Sequence, residues 1–220
     1  MEAHTRANSD VPVLEARNGG AAERFAGFLR GQHPAAVFFA ALFTGFAVLA
    51  LFSIALGLLV TDVLVGSVGL GDNDRNAVDS IVAERTPFLT DLSEVGSTVG
   101  GAPLLPILVG TIAIVSAFMR RWLIAAFAVF VLAVESATYR VTSLAIPRER
   151  PDVERLEDLP VDASYPSGHT AASLAVYAGL VLLLTSRFSN RALRIVAWVV
   201  AILIPVFVAC LLYTSPSPRD

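Results

Sequence analysis

Five long apolar runs, at 34–60, 103–119, 122–139, 170–185 and 193–212, constrain the fold of this 220-residue chain more than any other feature. Hydrocarbon offers the backbone no hydrogen-bond partner, so a segment that crosses it must satisfy its own amides, and a helix needs roughly 20 residues to do so. The runs suit that length. With 55% hydrophobic and only 16% charged residues, the composition departs far from that of a soluble domain. The sequence therefore predicts an all-α polytopic transmembrane helix bundle with five spans present. The first run follows 33 polar residues, exceeds the apolar core of a signal peptide and lacks a cleavage pattern, so it is expected to stay attached.

Charge reports the orientation of the spans. The chain has no lysine, and nine of its arginines fall in three segments: 6, 17, 24 and 30; 120 and 121; 187, 191 and 194. The excess of basic residues on the cytoplasmic side places those segments inside, so the 61–102 and 140–169 loops face outward. A net charge of -3 without runs of like charge gives nucleic acid no surface to bind. Residues 1–33 show no sustained apolar stripe and read as a disordered cytoplasmic tail. In the 61–102 segment, Val78, Ile81 and Val82 and then Phe88, Leu89 and Leu92 suggest short helices lying along the membrane surface. Trp122 and Tyr139, at the ends of the third run, read as interface anchors. Glu135 is an acid at membrane depth near the outer end of the third run, expected to pair with Arg140 or to bond between helices, with catalysis as the alternative.

Polar residues concentrate in the outward loop before the fourth run, "YRVTSLAIPRERPDVERLEDLPVDASYPSGHT". Arg148 and Arg150 bracket Glu149, and His169 follows Arg150 by 19 residues. Guanidinium presents a planar fork of donors that matches phosphate oxygens. The same arginines also suit lipid headgroups, or ion pairs with Glu149, Asp152 and Glu154. Ser167 is a natural N-cap for the helix that follows, and Gly168 admits a close approach to the backbone. The first turn of a helix turns unpaired amides and a positive dipole end toward an anion. His169, in that turn, can hand a proton to a departing oxygen near neutral pH. An isolated histidine there reads as one that merely decorates a helix start; the arginines on the same face reverse that reading.

These residues resemble the type 2 phosphatidic acid phosphatases, whose pattern reads KxxxxxxRP, then PSGH, then SRxxxxxHxxxD. "PSGH" stands intact at 166–169 and "RP" at 150–151, and the resemblance covers about residues 34–209. It implies a six-span membrane lipid phosphatase at the plasma membrane, its active site on the extracytoplasmic side. Such an enzyme would remove phosphate from a lipid phosphate or diphosphate through a phosphohistidine, with no metal and no cofactor. His169 would be catalytic, protonating the leaving group. Arg148, Arg150, Ser167 and Gly168 would bind the phosphate, with Arg140 as a further helper. The signature lysine would fall at Ser143, where Arg140 or Arg148 is the substitute cation. The third signature, which supplies the nucleophilic histidine, is absent. A non-catalytic membrane protein that binds lipid phosphate is the alternative that absence favours.

The last eleven residues, "CLLYTSPSPRD" at 210–220, break abruptly with the apolar run before them. They can be back-translated into a string that resembles, codon for codon, the transposon-end adapter used to prepare sequencing libraries; the alternative is a genuine short polar tail. Residues 34–209 are accordingly expected to be an incomplete membrane domain, 210–220 to be read-through, and a sixth span to be missing.

Overall fold

The computed structural model describes residues 19–67, 76, 80, 86–146, 165–185 and 188–214. Regular structure among these residues is helical throughout: α1 (Ala21–Phe28), α2 (Pro34–Leu58, continued as a π-helix over Leu59–Ser67), α3 (Pro87–Gly100), α4 (Leu104–Phe118), α5 (Trp122–Ala145), α6 (Gly168–Thr185) and α7 (Arg191–Thr214). Five stretches are long and apolar enough to cross a membrane: 34–65, 87–118, 122–145, 168–185 and 191–211. The chain is a multi-pass membrane protein with an all-α bundle. Helix α1 lies inside the tail expected to be disordered.

Local chemistry sets where the helices begin. His33 caps α2, its Nδ1 accepting from Ala35 N at 3.2 Å, and Pro34 follows with a fixed φ that suits the first helical turn. Thr86 caps α3 by accepting from Leu89 N at 3.3 Å. Asn190 opens α7, its Oδ1 accepting from Ala192 N at 2.8 Å. Between α4 and α5 the reversal is tight, and Arg120 takes φ 58° in the turn.

Helix α5 is the centre of the bundle, packing against α2, α4 and α6, while α6 pairs most extensively with α7. Leu105, Val109, Ala128 and Val176 form the buried core between α4, α5 and α6.

Helix α3 departs from expectation. The sequence placed Phe88, Leu89 and Leu92 on a helix lying along the membrane surface, yet α3 buries its small residues instead: Ser93, Gly96, Ser97 and Gly100. Phe88 is left 71% exposed. The spacing of the buried set, i, i+3, i+4 and i+7, is one face of a helix. In a membrane, apolar side chains gain little by leaving lipid, and small residues gain close backbone contact instead. Helix α7 supplies the partner. A Cβ added at Gly96 would lie 2.9 Å from Leu211 Cδ1, and one at Gly100 would lie 2.6 Å from Val208 Cγ1. Position 96 meets 211 while 100 meets 208, so the two helices run antiparallel. The carbonyl of Val99, in the last turn of α3, accepts from the Tyr177 hydroxyl of α6 at 2.9 Å.

Candidate functional site

The turn into α6 is held by contacts to three other helices. Tyr165 leans over α2, its hydroxyl donating to Ser53 O at 3.2 Å and its ring so close to Gly57 that a Cβ there would meet Cε1 at 2.7 Å. Gly168 lies under the ring of Tyr139 from α5, with 3.0 Å between its would-be Cβ and Tyr139 Cε2. His169 reaches α3, where its Nε2 stands 3.1 Å from Ser97 Oγ. A Cβ at Gly101 would overlap the His169 ring. Each glycine in this set is required by an approach that leaves no volume for a side chain.

Ser167 caps the helix as its type predicts. It accepts from Thr170 N at 3.4 Å, and its own hydroxyl donates to Thr170 Oγ1 at 2.9 Å. The hydroxyl expected to face phosphate thus bonds within the turn, and the cavity beside His169 is lined by Gly168 and not by Ser167.

That cavity measures about 540 Å³ and gathers residues from four helices, with Leu105 and Pro106 of α4 among its walls. Glu94 and Ser97 come from α3, Glu135, Tyr139 and Arg140 from α5, and Gly168 and His169 from α6. The structure therefore brings together three of the residues singled out in the sequence: Arg140, Gly168 and His169. Arg148 and Arg150 lie outside the described residues. Ser143, the position of the signature lysine, is buried on α5, and its hydroxyl has no hydrogen-bond partner among the described residues.

A second cavity of about 630 Å³ adjoins the first and differs in character. Leu49, Phe52 and Leu56 of α2, Phe130 and Val134 of α5, and Leu174 and Ala178 of α6 make its walls apolar. Glu135 and Tyr139 line both cavities. This placement corrects two expectations. Tyr139 is a half-buried partition over Gly168 and not a lipid-facing anchor, whereas Trp122 at the other end of α5 is 67% exposed. Glu135 accepts from Ser136 Oγ at 3.3 Å, and no ion pair joins it to Arg140 among the described residues.

Residues 122–214 match the family model of the PAP2 superfamily. Over this stretch the chain is similar to the PAP2 superfamily. The match takes in α5, α6 and α7, and with them Arg140, Ser167, Gly168 and His169. It supports a phosphatase-type hydrolase in general, acting on a phosphate-containing substrate. No curated protein and no solved structure matches the chain. The PAP2 region does not include α3, although α3 supplies Glu94 and Ser97 to the cavity. Sequence reading missed both residues. The signal available for α3 was its stripe of small residues, which marks a packed face and says nothing of a histidine 72 positions away.

Proposed function

We infer that this protein is a membrane lipid phosphatase of the PAP2 type, taking a lipid phosphate or diphosphate from the extracytoplasmic leaflet of the plasma membrane. The observation that carries the reading is the pair of cavities that share Glu135 and Tyr139. A polar chamber with a histidine and an arginine beside an apolar one suits a molecule with an anionic head and a hydrocarbon chain. His169 protonates the leaving oxygen as the phosphorus–oxygen bond breaks. Arg140, Arg148, Arg150 and the Gly168 amide hold the phosphate oxygens, where positioned charge contributes most to phosphoryl transfer.

A phosphohistidine step needs a second histidine in the site. The sequence holds only His4, His33 and His169. Neither of the first two belongs to the PSGH cluster, so the 220 residues are read as binding phosphate without forming the covalent intermediate. That observation favours a second reading, a lipid-phosphate-binding membrane protein with no turnover.

Purified protein in nanodiscs, offered phosphatidate, phosphatidylglycerol phosphate, polyprenyl diphosphate and diacylglycerol, tests both readings. Binding of the phosphorylated lipids in preference to diacylglycerol is expected, weakened by Arg140→Ala and by Arg150→Lys, which keeps charge but loses the fork. Equal affinity for diacylglycerol would overturn the site. Phosphate release from a gene extended to include the third signature, abolished by His169→Ala, separates the enzyme from the binding protein.

A further inference from the structure

Helix α3 and its C-cap residue Gly101 touch His169 at three places, and none of them lies within the stretch matched by the PAP2 model. Ser97 Oγ is 3.1 Å from the ring nitrogen Nε2, Gly101 abuts the ring edge, and a Cβ at Gly100 would lie 3.3 Å from the His169 carbonyl oxygen. Ser97 is 6% exposed and lines the same cavity as the histidine. The hydroxyl is therefore held in a packed position. Its helix is fixed from outside the contact, by Leu211 and Val208 of α7 against Gly96 and Gly100 and by the Tyr177 hydroxyl on Val99 O.

From this arrangement we propose that Ser97 is a positioning residue for His169, and that Ser97 and Gly101 together form the seat that fixes the imidazole in the cavity. The chemistry of the hydroxyl suits the task. Serine both donates and accepts, so it keeps a hydrogen bond to Nε2 whether that nitrogen carries a proton or not. A ring that gives up a proton and regains it each cycle would otherwise lose its partner in one of the two states. A carboxylate would bond only the protonated nitrogen, and an ammonium only the bare one. Gly101 closes the other side, since any side chain there would collide with the ring.

The proposal rests on His169 being the proton donor, but its first test does not. In protein carrying 15N-labelled histidine, His169 is assigned by the resonances lost in His169→Gln, and its imidazole signals are compared among wild type, Ser97→Ala and Ser97→Thr. Ser97→Ala is expected to shift and broaden the His169 ring resonances, whereas Ser97→Thr, which keeps the hydroxyl, should leave them near the wild-type positions. Identical His169 spectra in wild type and Ser97→Ala would overturn the proposal. Gly101→Ala should displace the same resonances; should that variant fail to fold, the serine pair still decides.

The second measurement is phosphatidate turnover by protein from the gene extended to include the third signature. Ser97→Ala is expected to lower kcat about tenfold, a fraction of what a positioned general acid contributes, with KM unchanged and activity restored by Ser97→Thr. A raised KM at constant kcat would overturn the positioning role. If Ser97→Ala moves the ring resonances while the protein extended to include the third signature releases no phosphate from any lipid, the seat stands and the phosphatase reading fails.

Discussion

The ring of Tyr139 lies across Gly168 so closely that a methyl group on the glycine would stand 3.0 Å from Tyr139 Cε2. One helix thus closes over the first turn of another, and the closing ring is also a wall of both cavities.

Gly168→Ala should therefore lower the melting temperature and weaken lipid-phosphate binding together, because the added methyl displaces Tyr139. Tyr139→Leu, which shortens the opposing side chain, should recover part of the lost stability in the double variant. A double-mutant cycle on thermal unfolding measures this, with an expected coupling of about 0.5–3 kcal/mol. Strict additivity would deny the contact.

The pairing of α3 with α7 predicts a position-specific loss of stability. Gly100→Val should destabilise by about 1–3 kcal/mol through overpacking against Val208, while Gly110→Val on α4, where a Cβ meets nothing within 4 Å, should cost much less. Thermal unfolding in detergent compares them. Equal losses at the two glycines would mean that α3 is not docked on α7.

The apolar cavity predicts a change in chain-length preference. Ala178→Phe places a ring in the cavity wall, so binding of a long-chain phosphatidate should fall several-fold while a short-chain analogue is bound as before. Uniform loss for both lipids would locate the hydrocarbon elsewhere.

The orientation is tested by labelling. Cys210 is exposed, so it is first replaced by serine. Phe88→Cys, at the exposed start of α3, should then react with an impermeant thiol reagent in intact cells. Reaction only after permeabilisation would place the His169 end of the bundle in the cytoplasm.

The five spans, the start of α6 at the PSGH cluster and the capping role of Ser167 were legible because each depends on residues close together in the chain. Hydropathy marks a helix that faces lipid, and a serine before a glycine marks an N-terminus. Helix α3 was misread because hydropathy gives weight to Phe88 and Leu92, while its packed face is made of glycine and serine, which carry little hydropathy. Tyr139 was misread for a related reason. An aromatic ring near the end of an apolar run looks the same whether it meets headgroups or a glycine on a neighbouring helix, and the glycine lies 29 positions further on, across the 140–169 loop. Arg140 was legible only as a spare cation near the expected site; its place in the cavity follows from the rotation of α5, which the sequence does not specify.

The antiparallel contact of Gly96 and Gly100 with Leu211 and Val208 has a consequence for the order in which the molecule matures. Helix α3 leaves the ribosome long before α7 exists, and at ordinary synthesis rates the interval is on the order of ten seconds. Throughout that time its glycine face has no partner and Ser97 has no histidine beside it. A helix made late is thus the one that locks an early helix against the site, so the imidazole acquires its final setting only after α7 has been made.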